Sequence, residues 1–480
     1  MAEAIETRSN PEPVRITHSD IGAKWWVASA LGWSIAFMIF GLITALKFRF
    51  PDLWCSVPYL TYGRIRPVHA QGMIFGWLVV GNVAALCYFV PRLTGTKLFS
   101  ERITINAAML WNLGVFVGSA GLLLGYNKGK EYEEYNGLSN WILVIAWVML
   151  SYVICQTIAR RKYNRMYVAL WYVMAFLIQT ALVYIFGNID GLTFGYLHFN
   201  GIADALANWF YGHAVVGLIA TPGGLAAAYY FMPKAVDSPL YNHKLSIIGF
   251  WTITAIYIWN GAHHLIYTAI PLYLQTVSQV FSILLFIPVF TVVTNFFGTV
   301  RGHWHKAPDS VCRNFLWMGT LFYLLVCIQG PFQAMRPVQY FIHYTDWVIG
   351  HAHLALFGTF SFFIFGAFYY MIPRMMKRPL YSYPMANAHF QFAFWGILIM
   401  FISLTTGGLY QGYLWTDPTI PFIETVKAMM PFWEWRTVGG ALMFTGQVLF
   451  AYNIYKTMTL KYVPAREPVA ERAALSAVSQ

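Results

Sequence analysis

Two histidines one residue apart, His351 and His353, lie in a long apolar stretch at 344–370. The stretch is long enough to cross a bilayer as a helix. Residues two apart on an α-helix point about 200° away from each other at nearly the same height. One helix therefore offers imidazole to two opposite sides, which suits two separate groups better than one metal. The alternative is that both rings hydrogen-bond to other helices, but ionisable residues inside a membrane span are costly and usually functional.

A second set of histidines has the spacing of a metal site. The adjacent residues His263 and His264 differ by about 100° around a helix, so they can converge on one metal if His213, on another span, supplies the third ligand. Three neutral imidazoles without a nearby cysteine or carboxylate suit copper. The five cysteines form neither C-x-x-C nor C-x-x-C-H, so neither a thiolate metal site nor a covalent c-type haem is predicted.

His69 adds a sixth imidazole. A haem bound by His69 and by one member of the pair His351 and His353 would be saturated, so it would pass electrons but bind no gas. A second haem bound by the remaining histidine alone would keep an open side facing the copper. Such a pocket suits the reduction of a small diatomic molecule. Spacing does not decide which of the two histidines serves which haem.

These residues require a membrane scaffold. Of 480 residues, 58% are hydrophobic and 10% charged, and the mean hydropathy is +0.53, which is typical of a polytopic membrane protein. We predict an all-α fold of twelve transmembrane helices that encloses two haems and a copper in the outer half of the bilayer. The predicted spans are 25–47, 69–91, 104–126, 140–159, 167–188, 203–231, 244–270, 274–299, 314–331, 345–372, 388–410 and 437–456.

The basic residues predict the orientation. An even number of spans puts both termini on one side, and 22 of the 31 lysines and arginines fall on that side. By the positive-inside rule both termini are cytoplasmic. The net charge of +12 lies in short loops, so it does not indicate nucleic-acid binding. We predict a polar segment at 1–24, a twelve-helix core at 25–460 and a cytoplasmic tail at 461–480.

In this orientation the six histidines share the outer half of the bilayer. The other seven are predicted to lie in loops or at span ends, with solvated side chains; they are His18, His198, His243, His303, His305, His343 and His389.

Four motifs carry a family resemblance from Trp25 to about Leu460. The chain resembles the catalytic subunit I of the haem–copper oxidase superfamily, and is most similar to the C-type, or cbb3-type, cytochrome c oxidases. The motifs are R-I-R-P-V-H at 64–69, W-F-Y-G-H at 209–213, Y-I-W-N-G-A-H-H at 257–264 and H-Y-T-D-W-V-I-G-H-A-H at 343–353.

The resemblance implies an enzyme that reduces O2 to water with electrons from cytochrome c, coupled to proton uptake and pumping across the bacterial inner membrane. It implies mono-haem and di-haem membrane-anchored c-type cytochromes as partner subunits. It implies a low-spin haem b on His69 and His353, and a high-spin haem b3 on His351. The implied copper, CuB, is held by His213, His263 and His264.

The resemblance also implies roles for further side chains. Tyr257 is implied to be crosslinked to His213, and Glu131 to lie near a structural calcium, although an exposed acidic loop explains Glu131 equally well. The implied partners of haem propionates are Arg66, His343 and Arg436. The implied proton path comprises Thr221, Tyr229, Tyr230, Ser246 and Tyr323, although any of these hydroxyls can instead bond to its own helix.

The chain departs from the family pattern at two places. Gln329 stands where C-type members commonly have the glutamate of Glu-Gly-Pro, and Ala70-Gln71 stands where Thr-Asn is frequent. The stretch H-A-H-L-A-L-F-G at 351–358 is similar to nitric oxide reductases of the same superfamily, so a reductase-like member is the alternative. Spans 6, 7 and 9 contain no glutamate and Tyr257 is present, which favours copper and oxygen. A haem-bearing electron conduit would have no use for His263, His264 and Tyr257. A transporter tends to have broken helices in both halves of the chain, and the sequence shows no such pairing.

Overall fold

The structure is a computed structural model that describes residues 17–304 and 310–460. Within these ranges every regular element is a helix and no strand is present, as the sequence predicts. The expectations for residues 1–16 and for the tail at 461–480 lie outside the described residues. The first helix begins at Ile21, ahead of the predicted core boundary at Trp25, because the Glu101 carboxylate accepts a hydrogen bond from the Gly22 N–H at 2.6 Å.

Twelve helices of 20 residues or more form the described part of the chain. Several extend beyond the predicted spans, because polar end residues continue the helix outside the apolar stretch. The helices are α1 Ile21–Arg49, α2 Tyr62–Thr94, α3 Glu101–Leu124, α4 Gly137–Ala159, α5 Val168–Gly187, α6 Gly201–Ala235, α7 His243–Leu265, α8 Leu272–Val300, α9 Val311–Gln333, α10 Asp346–Met376, α11 Tyr383–Trp415 and α12 Phe422–Thr459.

Eleven of these helices, α1 to α11, are long and apolar enough to cross a membrane. The predicted twelfth span lies inside α12, which is 38 residues long but is not among the eleven. Its first half carries charged residues at 424, 427, 434 and 436, and Gln447 and Asn453 interrupt the apolar second half. The prediction of spanning helices is therefore confirmed for eleven, and the twelfth crossing stays a prediction.

Three histidine-bearing helices form the centre of the fold. Nearly all of the apolar stretch of α2, α6 and α10 is buried, whereas less than two-thirds of it is buried in the other eight candidate spans. The surrounding helices pack closely where small residues meet, as between α11 and α12: a Cβ on Gly396 would lie only 2.8 Å from the Gly439 carbonyl oxygen. Small residues permit such close approach of membrane helices.

The central helices depart from α geometry just after their histidines. The turns Gly72–Leu78 of α2, Val215–Ala220 of α6 and Leu354–Ser361 of α10 are π-helical. Hydroxyls stabilise the wider turns by bonding to carbonyls five residues back, as Thr221 does to Val216 at 2.9 Å. π-Turns are rare and occur frequently at functional sites.

Of the seven histidines predicted to be solvated, His305 lies outside the described residues, and one of the other six is buried in a helix. His389 lies in α11 with no exposed surface, and its Nδ1 is 3.0 Å from the Tyr369 hydroxyl. Its ring packs among Phe315, Phe365 and Phe450. The prediction for His389 was wrong because α11 begins at Tyr383, five residues before the predicted span, so this histidine is inside the bundle.

Candidate functional site

Three imidazoles converge where the end of α7 lies against α6. Ligand nitrogens of His213, His263 and His264 all lie within 4.8 Å of one another, and His213 Nδ1 is 3.2 Å from His264 Nε2. His213 Nε2 and His263 Nε2 are buried without a hydrogen-bond partner. Buried nitrogens that lack a protein partner and face one another are suited to binding a metal ion.

A distorted end of α7 directs the adjacent pair. The helix passes into 3₁₀ turns at Tyr257–Trp259 and Gly261–Leu265, so the predicted α-helical spacing of His263 and His264 becomes the tighter spacing of a 3₁₀ turn. The chain then turns extended at Ile266, which ends α7 before the predicted residue 270.

Contacts that the sequence did not reveal hold these imidazoles. His263 Nδ1 donates to Ser282 Oγ of α8 at 2.7 Å, and this bond leaves Nε2 for a metal. The Trp209 ring stacks on His264, with centroids 4.3 Å apart. Half-buried His343 bonds through Nε2 to the His264 carbonyl at 3.1 Å. Such partners fix the tautomer and orientation of metal-binding histidines.

Tyr257 lies against the His213 ring. The ring centroids are 4.3 Å apart and the planes are inclined by 16°. On the facing turn of α6, a Cβ on Gly217 would overlap the Tyr257 ring, so the residue at this position has to be glycine for the two rings to meet. The predicted pair is thus in van der Waals contact.

His69 and His353 face each other across a gap. Their ring centroids are 6.4 Å apart and the planes are inclined by 18°. Each Nδ1 is 2.8 Å from a backbone carbonyl, that of Phe37 for His69 and that of Ile349 for His353, so each Nε2 is free. Two imidazoles that bind one metal at about 2 Å each, with each ring centre about 1 Å beyond its nitrogen, have a similar separation.

The two rings line a cavity of about 600 Å³. Arg436 also lines it, and the guanidinium is buried with Nε and one terminal nitrogen unpartnered. A buried guanidinium with free donors suits a carboxylate ligand. The cavity and these donors fit a haem with propionates. Other polar residues that line it include Arg66, Glu131, His264, Gln339, His343 and Asp346.

His351 presents its imidazole on another side of α10. Its Nδ1 is 3.2 Å from the Gln329 amide oxygen, and Trp347 stacks parallel to the ring at 5.7 Å. The ring is close enough to interact electrostatically with His213, His263 and His264. The two histidines of α10 therefore face two different sites, as the spacing predicts. His353 faces His69, and His351 lies near His213, His263 and His264.

The residues of the predicted proton path are only partly brought together. Ser246 is fully buried and its Oγ accepts from Asn295 Nδ2 at 2.8 Å. Tyr229 stacks on Tyr172 of α5 and contacts Phe296 of α8 edge-to-face. Buried Tyr323 lies beside Cys327 of α9.

Two other path residues have different surroundings. The Tyr230 ring stacks on Phe89 of α2, with centroids 5.1 Å apart, and so lies on a different face of α6 from Tyr229. The Thr221 hydroxyl bonds to its own helix, which is the alternative stated for these hydroxyls.

The loop between α3 and α4 buries carboxylates next to Arg66. Arg66 pairs with Glu131 and lies 3.7 Å from a Glu134 oxygen. Glu133 and Glu134 are only 2% and 3% exposed, and burial raises the pKa of each to about 7. Among the described residues, the metal-binding side chains that converge are the three histidines His213, His263 and His264, and Glu131 is not one of them. The calcium near Glu131 therefore stays a prediction.

The chain is similar to a known protein family over most of its length. Residues 22–442 match the family model described as cytochrome C and quinol oxidase polypeptide I. A cytochrome c oxidase subunit 1 homolog (bacteroid) from Bradyrhizobium diazoefficiens is 36% identical over 92% of this chain and 82% of that protein. The cbb3-type cytochrome c oxidase subunit CcoN1 of Stutzerimonas stutzeri is 33% identical over 89% of this chain and 92% of its own.

Two more distant similarities are consistent with the match to cytochrome c oxidase subunits. A nitric oxide reductase chain of Stutzerimonas stutzeri is 25% identical over 90% of this chain and 93% of that protein. A heme-copper terminal oxidase dimer solved by cryo-EM superimposes with a TM-score of 0.74 at 15% identity, covering 93% of this chain and 85% of the other. The chain therefore belongs to the cytochrome c and quinol oxidase polypeptide I family, as a cbb3-type subunit I.

Proposed function

We propose that this chain is the catalytic subunit of a terminal respiratory oxidase that reduces O2 to water with electrons from cytochrome c. Proton uptake and pumping across the membrane accompany the reaction. The observation that carries the proposal is the convergence of His213, His263 and His264 beside His351. A separate histidine pair faces a cavity on the other side of α10.

The histidines are assigned by combining this geometry with the family resemblance. His69 and His353 hold low-spin haem b, His351 holds high-spin haem b3, and the trio holds CuB. The free Nε2 atoms of His69 and His353 and the unpartnered nitrogens of the trio support these roles. When bound, the haems and copper supply the electron transfer and the O2-binding centre.

Side chains around the metals hold them in place and move protons. Tyr257 stacks on His213, which supports the proposed covalent link between the two rings and a proton-donating role for the Tyr257 hydroxyl. Ser246, with its hydrogen bond from Asn295, and buried Tyr323 hold protons on the way to it. Thr221, Tyr229 and Tyr230 belong to the same proposed path, and the contacts of Tyr230 support its inclusion least.

Cationic and acidic groups at the outer end complete the site. Arg66, His343 and Arg436 are proposed to bind the haem propionates, and the unpartnered nitrogens of Arg436 support this best. Glu131 is proposed to lie near a calcium ion, although its ion pair with Arg66 competes for the carboxylate.

The proposed surroundings follow from the apolar helices and the family. The core at 25–460 spans the bacterial inner membrane with twelve helices, in contact with lipid. Both termini, including the tail at 461–480, are cytoplasmic, so the metals lie in the outer half of the bilayer. Membrane-anchored mono-haem and di-haem cytochromes c deliver electrons, and no nucleic-acid partner is proposed.

Nitric oxide reduction is the alternative within the family. In the described chain the converging group consists of three histidines without a carboxylate. A metal site formed by imidazole ligands alone suits copper. This composition favours O2 over NO as the main substrate.

The purified complex tests the proposal in three measurements. In the reduced-minus-oxidised spectrum, we expect one b-type haem that binds CO and one that does not. Metal analysis should find one copper ion per complex, and the complex should consume O2 faster than NO. A preparation without a CO-binding haem would refute the oxidase function, and non-haem iron in place of copper would favour the reductase.

A further inference from the structure

Asn260 lies between the two 3₁₀ turns that end α7, three residues before His263. Its side chain has no exposed surface, and neither Nδ2 nor Oδ1 of the amide has a hydrogen-bond partner among the described residues. Other buried amides of the described chain, such as Gln71 and Gln339, have an unpartnered oxygen but a bonded nitrogen. Burial of an amide without any partner is costly, so the two free atoms of Asn260 indicate a bound polar molecule.

The backbone places this amide on the face of α7 that meets the histidine trio. The Asn260 N–H donates to the Tyr257 carbonyl at 3.4 Å, and the His263 N–H donates to the Asn260 carbonyl at 3.0 Å. Both bonds join residues three apart, the spacing at which side chains of a 3₁₀ turn eclipse one another. The rings of Tyr257 and His263 both contact the His213 ring, with centroids 4.3 and 4.5 Å from it. The amide of Asn260 therefore lies between two side chains that enclose His213.

The turn that carries Asn260 is held tightly against α6. A Cβ on the next residue, Gly261, would lie only 2.8 Å from the Trp209 carbonyl oxygen and from the Phe210 Cα. Close packing of this kind keeps the amide at a defined position, as a specific site for a small molecule requires.

The chemistry of the amide selects the molecule. An asparagine side chain offers two N–H donors and one carbonyl acceptor, but it has no charge to balance that of an ion. Buried water molecules bond to polar groups that the protein leaves unsatisfied. A neutral molecule that is both donor and acceptor, and that fits between side chains, is water.

We propose that Asn260 holds an ordered water molecule at the edge of the histidine trio, beside the His213 and Tyr257 rings. The Nδ2 group donates to the water oxygen, and Oδ1 accepts from a water hydrogen. The site keeps a hydrogen-bond donor next to the pocket in which protons are consumed and water is formed. The inference rests on the proposed function, in which the trio binds copper and the pocket reduces O2.

The test compares the complete oxidase complex with its variants Asn260→Leu and Asn260→Ala. Leucine replaces the amide by an apolar group of similar size, and alanine removes it without adding bulk. Infrared difference spectra are recorded as light releases CO from the high-spin haem, in ordinary water and in water enriched in heavy oxygen, which shifts the bands of water. Asn453→Ala is the matched control, because Asn453 is fully buried in α12 and its Nδ2 donates to the Ser382 carbonyl at 2.8 Å.

The unsubstituted complex should show a water O–H band that shifts with heavy oxygen, and cryo-EM should show a water within about 3.2 Å of the amide. Asn260→Leu should lose the band and Asn260→Ala should lose or shift it, with unchanged copper and haem content, whereas the control keeps it. The inference is overturned if a complex with a CO-binding haem shows no such band or density. It is also overturned if a variant of Asn260 that assembles keeps the band unchanged, or if the control loses it. A complex without a CO-binding haem refutes the proposed function instead, which is a distinct result.

Discussion

Ser282 is expected to decide how tightly the trio holds copper. Its hydroxyl accepts the Nδ1–H of His263 at 2.7 Å and donates to the Ser278 carbonyl at 2.6 Å. Ser282→Ala leaves the buried His263 N–H without an acceptor, which costs about 1–3 kcal/mol. The ring is then free to change tautomer, and the copper affinity should fall by about 10–100-fold, which is typical of lost outer-shell partners.

The assay is copper retention by the purified complex in a series of chelator concentrations, read as copper per haem. Ser278→Ala is the matched control, because Ser278 is buried on the same helix, one turn earlier, and its hydroxyl donates to the Gln275 carbonyl at 2.9 Å. The control should retain copper as the unsubstituted protein does. If Ser282→Ala retains copper equally well, Ser282 does not support His263 as a ligand and the reasoning fails.

His353→Ala should remove the low-spin haem spectrum and His351→Ala should remove CO binding, because the two rings face different neighbourhoods; reversed spectra would contradict the assignment. Tyr323→Phe should lower O2 consumption more than ten-fold, and Tyr230→Phe much less, because the Tyr230 ring packs on α2; equal losses in respirometry would contradict the path. Burial raises the pKa of Glu133 from 4.5 to about 7, so its stabilising contribution is present below pH 4.5 and is lost as pH rises to 7. Glu133→Gln should therefore raise the melting temperature at pH 8 but not at pH 4, and equal shifts at both would refute the burial argument.

The arrangement of the metal-site histidines was predictable because it depends on local periodicity. The one-residue spacing of His351 and His353 and the adjacency of His263 and His264 are fixed by helix geometry, whatever the rest of the fold. Long apolar stretches likewise marked eleven helices that are long and apolar enough to cross a membrane. The third member of the trio, His213, was found by its depth in a neighbouring span, and the structure brings it to the pair.

Contacts between side chains of different helices were not predictable from the same patterns. The bond from His263 to Ser282 joins α7 to α8, and buried serines are common in helices, so nothing in the sequence singled out Ser282. The burial of His389 depended on where α11 begins, and helix ends are the least certain part of a sequence pattern. The depth of Glu133 depends on how one polar loop folds over the ends of the helices.

The widened turns beside the ligand histidines separate two tasks within one helix. A π-turn holds one residue more than an α-turn, so the residues beyond it are rotated by about 100° relative to an uninterrupted helix. The N-terminal half of α6 can thus aim His213 while the C-terminal half, from Thr221, packs in a register of its own. In evolutionary terms, a single-residue insertion or deletion at such a turn shifts the register of the C-terminal half and leaves the imidazoles in place. The three central helices therefore have a built-in position at which length can change without loss of the metal ligands.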